Sequence, residues 1–173
     1  MEFTIETFYD QKAAAAMARI LRKTIRKKHS RRAHLFGWIV VVLALLLSLP
    51  LGEGASIDGG DVITWLVVLV LLAVLIWEDA INGWVARKRM LPGTSVSTCV
   101  FREEDYQSVT EMGETTWKYE NILLIAETRD YFAFLFDQSH VQVYDKGNIT
   151  GGTVEEFRAF LTRRTEKEIQ TVT

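Results

Sequence analysis

Two long apolar stretches divide the chain. Residues 33–52 carry no full charge, and their most apolar part, 35–51, would rise roughly 26 Å as a helix, close to the thickness of a bilayer core. A second stretch begins at residue 62 and continues past an acidic pair to residue 86. A chain of 173 residues is too short to surround two helices that are apolar on every side. The pattern therefore predicts two transmembrane helices, 33–52 and 62–86, the second including a cytoplasmic extension.

The charges around these stretches predict their orientation. Residues 53–61 contain three acids and no base, whereas eleven basic residues lie just before the first stretch or just after the second. The positive-inside tendency then places both termini in the cytoplasm and makes 53–61 the external loop of a two-helix hairpin. A cleaved signal peptide is the competing interpretation of the first stretch, but the 34 residues ahead of its apolar core make too long a leader.

Residues 11–32 predict a basic amphipathic helix at the membrane surface. At 100° per residue, Lys12, Arg19 and Arg22 share one stripe, while Met17 and Leu21 lie opposite. The basic residues expected to contact anionic lipid, on both sides of the hairpin, are Lys23, Arg26, Lys27, Lys28, Arg31, Arg32, Arg87, Lys88 and Arg89. These residues either recruit anionic headgroups or serve only as a topology signal, and the sequence leaves both alternatives open.

Glu78 and Asp79 form an acidic pair near the end of the second apolar stretch. Adjacent acids in such a helix must find water, become protonated or pair with bases, for which Arg31, Arg32 and Arg87 are the expected candidates. Two interpretations follow. The pair fixes the rotation of the helix at the interface, or it forms an intramembrane contact with a partner protein or a proton-coupled site.

The remaining segments predict a small antiparallel sheet with a C-terminal helix. Phe3 and Ile5 alternate with polar residues in an N-terminal strand within residues 1–10, which needs a sheet to join. A meander of short strands follows the second apolar stretch, and its first strand places Val96, Thr98 and Val100 on one face. The strands expected there are 94–102, 106–110, 115–119, 122–128, 131–136 and 141–144.

A capping box, Thr153 to Glu156, marks the start of the C-terminal helix, and residues 166–173 are expected to fray. Phe157 and Phe160 lie on the apolar side of this helix, which should cover the sheet. Alternation places residues 132, 134 and 136, all phenylalanine, on one side of a strand, where packing against that helix is the ordinary expectation and a peptide-binding groove the alternative.

The composition gives little indication of a chemical activity. The net charge of −2 gives no reason to expect nucleic acid as a partner, and the single Cys99 permits no internal disulfide. His29, His34 and His140 lie too far apart along the expected fold to share a metal. We find no arrangement typical of a nucleophile, a metal cluster or a phosphate loop, so no catalytic residue, cofactor or metal is expected.

The order of these parts resembles that of the YcxB-like family of bacterial membrane proteins. The residues that carry the resemblance are Trp117-Lys-Tyr-Glu-Asn-Ile122, Thr128-Arg-Asp-Tyr-Phe132, Asp145-Lys-Gly-Asn-Ile149 and Glu155-Glu-Phe-Arg158. The resemblance implies that residues 94–165 form a cytoplasmic YcxB-like domain, with a pleckstrin-homology-like sheet and a capping helix, completed by the N-terminal strand. It carries no catalytic residues. The chain departs from the family pattern at Asp145, because the family often has Pro at this position, before the Lys of the turn.

Taken together, the sequence predicts a membrane protein with a two-helix transmembrane hairpin and a small α+β cytoplasmic domain. We expect a non-enzymatic adaptor or accessory subunit of the bacterial inner membrane, whose partners are the lipid bilayer and either another protein or further copies of the chain. The alternative is a sensor of anionic lipid surfaces that uses the basic segments.

Overall fold

A computed structural model of the chain describes residues 2–48 and 59–173. Within these ranges the helices are α1 (Gln11–Lys23), α2 (Lys27–Leu47), α3 (Gly59–Ile76), α4 (Glu78–Lys88) and α5 (Val154–Thr165). The strands are β1 (Phe3–Phe8), β2 (Val96–Phe101), β3 (Asp105–Thr110), β4 (Gly113–Lys118), β5 (Leu124–Glu127), β6 (Tyr131–Leu135), β7 (Val141–Asp145), β8 (Ile149–Thr150) and β9 (Ile169–Thr171). Most of the expected external loop, 53–58, lies outside the described residues, and residues 59–61 begin α3.

The strands form two sheets. The first sheet has the order β4-β3-β2-β1-β8 and is antiparallel throughout, with β1 paired to β2 from Phe3 opposite Phe101 to Phe8 opposite Val96. The second sheet has the order β7-β6-β5-β9, in which β9 runs parallel to β5. A short 3-10 turn, Tyr119–Asn121, connects β4, an edge strand of the first sheet, to β5 of the second sheet.

The main core lies between the two sheets and α5. Phe101 packs edge-on against Phe157 at a centroid distance of 4.9 Å, and Phe132 does so at 5.3 Å. The capping box is present, since the Thr153 hydroxyl accepts from the Glu156 amide and the Glu156 carboxylate accepts from the Thr153 amide. Core packing is thus the role of Phe132 and of Phe134, whereas Phe136 contacts Trp117 at 4.9 Å.

Helix α1 covers the other face of the second sheet. Ala13 and Ile20 are completely buried there against residues such as Ala133 and Leu135 of β6. Every residue of β6 is buried, because alternate side chains enter the two cores on either side of the strand. The layers therefore run in the order α1, second sheet, core with α5, first sheet.

Helices α2 and α3 form an apolar helix pair. A Cβ atom on Gly37, in the middle of α2, would lie 2.9 Å from the Leu75 side chain near the end of α3. Because His34, earlier in α2, contacts Glu78 just after α3, the two helices run antiparallel. Both are long and apolar enough to cross a membrane, by length and composition. Only 11% and 6% of the residues in their apolar windows are buried. The sequence prediction of two long apolar helices, together with sheets and a C-terminal helix, is confirmed.

Several predicted boundaries need correction. Residues 11–32 do not form one helix, because the chain leaves the helical path at Thr24–Arg26, where the Thr24 hydroxyl donates to the Ile20 carbonyl and the Arg26 amide reaches back to the Leu21 carbonyl. The second apolar segment, 62–86, is interrupted at Trp77, after which α4 begins.

The sheet also departs from the expected single meander. The chain passes from the first sheet to the second at the 3-10 turn after β4, and β8 later returns to the first sheet. The prediction that residues 166–173 form a frayed tail is wrong. They contain β9, whose neighbour Val172 is buried and donates its amide to the Glu127 carbonyl at 2.7 Å. Most residues of this segment are polar, so the sequence did not indicate that Val172 would be buried.

Candidate functional site at the junction of helices and sheets

The junction is the region where α1, α4 and the start of α2 meet. Helices α1 and α4 approach each other closely at Gly83, where an added Cβ would lie 2.6 Å from the Ala15 amide nitrogen and 2.8 Å from the Ala14 carbonyl carbon. Small residues on both helices therefore bring the two backbones together. Because α1 also covers the second sheet, this contact attaches the sheets to the apolar helix pair through α4, which directly follows α3.

Asp79 is the centre of the ionic contacts at the junction. Arg22 donates to the two Asp79 oxygens from Nε and Nη2, each at 2.6 Å, and Arg19 Nε lies 3.4 Å away. The Asp79 side chain is only 15% exposed, so solvent screens this bidentate pair less than it would an ordinary surface pair. The ion pair thus joins α1 to α4.

Glu78 makes the second ionic contact of the junction. Its carboxylate lies 2.5 Å from His34 Nε2 on α2 and 3.6 Å from Arg22 Nε. The acids also occupy the first turn of α4, where a helix favours negative charge. Both acids are therefore paired within the chain, but with residues of α1 and α2 other than the expected Arg31, Arg32 and Arg87.

All of the residues expected to contact anionic lipid are exposed, and three of them also make contacts within the chain. Lys23 donates to the Thr173 carbonyl after β9, and Arg26 Nε donates to the Gln138 carbonyl in the β6–β7 turn at 2.8 Å. Lys88 lies 3.9 Å above the Trp84 ring. The others are exposed at the start of α2 or at the end of α4; they are Lys27, Lys28, Arg31, Arg32, Arg87 and Arg89. These six side chains therefore lie at the end of the helix pair that is nearer to α1.

A cavity of about 610 Å³ opens between α1, α2 and α4 at the same level. Its apolar walls include Met17, Leu21 and Val85, and its basic members include Arg26 and Arg89. His29 and Glu78 also line it, while His140 lies in the turn before β7. No group of three or more His, Cys, Asp or Glu residues that could hold a metal occurs within residues 2–48 and 59–173.

A second charged cluster lies at the end of β5. The Glu127 carboxylate accepts from Arg158 at 2.6 Å and 3.0 Å and from Lys146 Nζ at 2.5 Å. Lys146 also lies 4.7 Å from the centroid of the Phe132 ring. The Arg158 guanidinium, assisted by Lys146, holds the pKa of Glu127 below its ordinary value although burial opposes this shift.

This cluster forms one wall of a cleft of about 870 Å³ beside α1 and β9. Lys12 and Asp130, which are 2.9 Å apart, and Arg129 also line the cleft. Lys12 keeps the pKa of Asp130 below its usual range. Five basic and two acidic side chains line this cleft, in which Lys12 pairs with Asp130 while Lys146 and Arg158 pair with Glu127.

The sequence analysis did not identify Glu127, Lys146 or Arg158 as a cluster. Lys146 and Arg158 do occur in the segments that carry the family resemblance, which is a signal that both matter to the fold. Glu127 carries no such signal. Its side chain becomes important only because the β5–β6 turn, the turn after β7 and α5 converge on it.

Comparison of this chain with protein-family models, with curated proteins and with solved structures finds no match.

Proposed function

We propose that this chain is a non-enzymatic adaptor or accessory subunit of the bacterial inner membrane. In this proposal α2 and α3 cross the bilayer, both termini lie in the cytoplasm, and the sheets bind another protein or another copy of the chain. One observation carries the proposal: two exposed apolar helices are joined, through the Arg22–Asp79 pair and the Gly83 contact, to a folded domain.

The exposed side chains of the helix pair support membrane insertion. Leu47 is 85% exposed and Phe36 is 69% exposed, and a soluble monomer rarely leaves so extended an apolar surface in water. Trp38 and Trp77 lie toward one end of the pair and Trp65 toward the other, which is the arrangement expected of interfacial indoles. The exposed bases near Trp77 favour the cytoplasm for that end.

Membership of the YcxB-like family belongs to the same proposal. The segments that carry the resemblance fall at β4 with its following turn, at the start of β6, at the turn after β7 and in α5. Their side chains pack in the core or pair with Glu127, which suits determinants of a pleckstrin-homology-like fold. Two packed sheets with α5 against their common core support that description.

The adaptor proposal is tested by gentle extraction of the full chain from native membranes, followed by mass determination of the extracted complex. The chain should resist a carbonate wash, because only detergent releases a spanning helix pair. The complex should exceed the 19.8 kDa mass of one copy. Release by carbonate would contradict the anchor, and a single species at the mass of one copy would contradict the adaptor.

A specific observation favours the second candidate function, a sensor of anionic lipid. The cavity between α1, α2 and α4 combines apolar walls with Arg26 and Arg89, as an anionic headgroup above its acyl chains would require. The full chain in nanodiscs should enrich phosphatidylglycerol over phosphatidylcholine, and the double substitution R26Q/R89Q should reduce that enrichment. Arg163→Gln on α5 is the control. Equal enrichment in all three proteins would exclude this candidate.

A further inference from the structure

We infer that β4 is the dimerisation strand of this protein and that it pairs antiparallel with β4 of a second copy about a two-fold axis through Thr116. This inference deepens the proposed function by naming one partner and the surface that binds it. The inference rests on the proposed function only in placing both copies in one bilayer in the same orientation.

The first observation is an open sheet edge. Strand β4 lies at one edge of the first sheet, and no described residue pairs with its outer side. All of its residues except Trp117 are exposed. An edge strand of this kind offers a row of backbone donors and acceptors to another strand. A second strand would satisfy them without any rearrangement of the sheet.

The register of the sheet identifies which backbone groups face this edge. The Arg102 amide donates to the Asp105 carbonyl, so Asp105 bonds toward β2, and alternation turns residues 106, 108 and 110 toward β4. Their partners on β4 are residues 117, 115 and 113. The amides and carbonyls of Glu114, Thr116 and Lys118 therefore point away from β3, toward the open edge.

The sequence of β4 is complementary to itself in one antiparallel register. With Thr116 opposite Thr116 of the other copy, Glu114 lies opposite Lys118, and the two-fold axis generates the same pair again. All outward-facing backbone groups then meet partners in about six hydrogen bonds between the copies. Opposite charges placed directly across a strand pair stabilise it, and like charges do the reverse. The charges therefore select this register over its neighbours.

The present contacts of these charges leave them available. Glu114 accepts from Gln107 Nε2 at 2.9 Å, and Lys118 lies 3.8 Å from Glu120 with both side chains more than 70% exposed. Surface contacts of this kind contribute little, so exchanging or sharing them across the dimer costs little.

The order of layers places the same face of both copies on the same side of this dimer. The two-fold axis of an antiparallel strand pair stands perpendicular to the sheet, so it keeps the same face of both copies on the same side. The inner face of the first sheet looks toward the second sheet, and α1 covers the far side of that sheet. Both copies therefore present α1 on the same side of the joined sheets.

Disulfide trapping tests the register in the full chain. Thr116→Cys, made with Cys99→Ala to remove the native thiol, places the two new cysteines about 5.5 Å apart between Cα atoms, within disulfide reach. Mild oxidation should give a covalent dimer. Gln107→Cys is the matched control, since Gln107 pairs with Thr116 inside the sheet and would lie roughly 14 Å from its counterpart. A monomeric Thr116→Cys protein, or equal trapping of both variants, would overturn the inference.

Charge reversal tests whether the partner of β4 is β4 of a second copy. Glu114→Lys or Lys118→Glu alone creates two like-charge pairs and should weaken dimerisation by about tenfold or more, and the double reversal should restore it. Equal dimerisation in all four proteins contradicts the inference. Membrane fractionation separates the two proposals: a carbonate-resistant chain that stays monomeric refutes the β4 dimer alone, whereas a trapped dimer released by carbonate refutes the anchor alone.

Discussion

Glu127 is the residue on which the ion cluster beside β5 depends. Its folded-state pKa lies below the ordinary value of 4.5 because Arg158, and then Lys146, favour the carboxylate. Because folding lowers this pKa, the ionised carboxylate stabilises the fold at pH values above the pKa of the unfolded state. This contribution is lost as the pH falls through the pKa of the folded state. Glu127→Gln should therefore cost about 2–4 kcal/mol at neutral pH, with a smaller difference from wild type below about pH 4.

Urea unfolding of the full chain in detergent at several pH values measures this difference. Glu155→Gln is the matched control, because Glu155 is 76% exposed and lies 3.8 Å from Arg158 Nη1. It should change the free energy of unfolding by less than about 0.5 kcal/mol. A loss in Glu127→Gln that did not shrink in acid would show that charge is not the source of the stability.

Gly83 is the residue that permits α1 and α4 to touch. In Gly83→Ala the new methyl group would lie 2.6 Å from the Ala15 nitrogen, so the helices must separate, at a cost of about 1–3 kcal/mol. Thermal unfolding measures the loss. Gly59→Ala in α3 meets no atom within 4 Å and should not destabilise the protein. Equal behaviour of the two variants would mean that the close approach is unimportant.

The sequence predicted the burial of some side chains correctly and of others incorrectly. Alternation correctly placed Phe132 and Phe134 in the core, and the capping box correctly marked the start of α5. In β2 the sequence singled out the face with Val96 and Val100, but the buried face contains Ser97, Cys99 and Phe101. Such a strand has apolar residues on both faces, so its pattern alone does not determine which face is covered.

Helix α1 illustrates what an amphipathic pattern leaves open. The sequence identified its two faces and expected the helix to lie at the membrane surface. In the structure its apolar face covers the second sheet and its arginines reach α4. A helical wheel shows that a face must be covered but does not identify what covers it. The junction therefore could not be predicted, although Asp79 was identified as an acid that needs a partner.

The Arg22–Asp79 pair should show measurable coupling between α1 and α4. In a double-mutant cycle of Arg22→Gln and Asp79→Asn we expect a coupling energy of about 1–3 kcal/mol, because the pair is bidentate and partly buried. Asp79→Asn should also speed tryptic cleavage in the break between α1 and α2, which contains Arg26.

The exposed Arg102–Glu2 pair provides the comparison for that cycle. Its side chains are 49% and 60% exposed, so Arg102→Gln should change stability by less than about 0.5 kcal/mol and leave the cleavage rate unchanged. Coupling near zero between Arg22 and Asp79 would mean that the backbone contact at Gly83 alone joins the helices.

The molecule as a whole places a layered sheet domain at one end of an apolar helix pair. The sequence predicted the kinds of element and most of their positions. It did not predict the division into two sheets or the parallel addition of β9, because both depend on contacts between distant segments. The same reason applies to the Glu127 cluster and to the C-terminal strand. Strand β9 contributes only three residues, which pair with the distant strand β5.

Cysteine accessibility in intact cells tests the membrane arrangement most directly. In the Cys99→Ala background, Glu53→Cys marks the connector between the apolar stretches and Glu168→Cys marks the segment before β9. A membrane-impermeant maleimide should label the cysteine at position 53 in intact cells and the cysteine at position 168 only after permeabilisation. Labelling of position 168 in intact cells, or protection of position 53, would contradict this membrane arrangement.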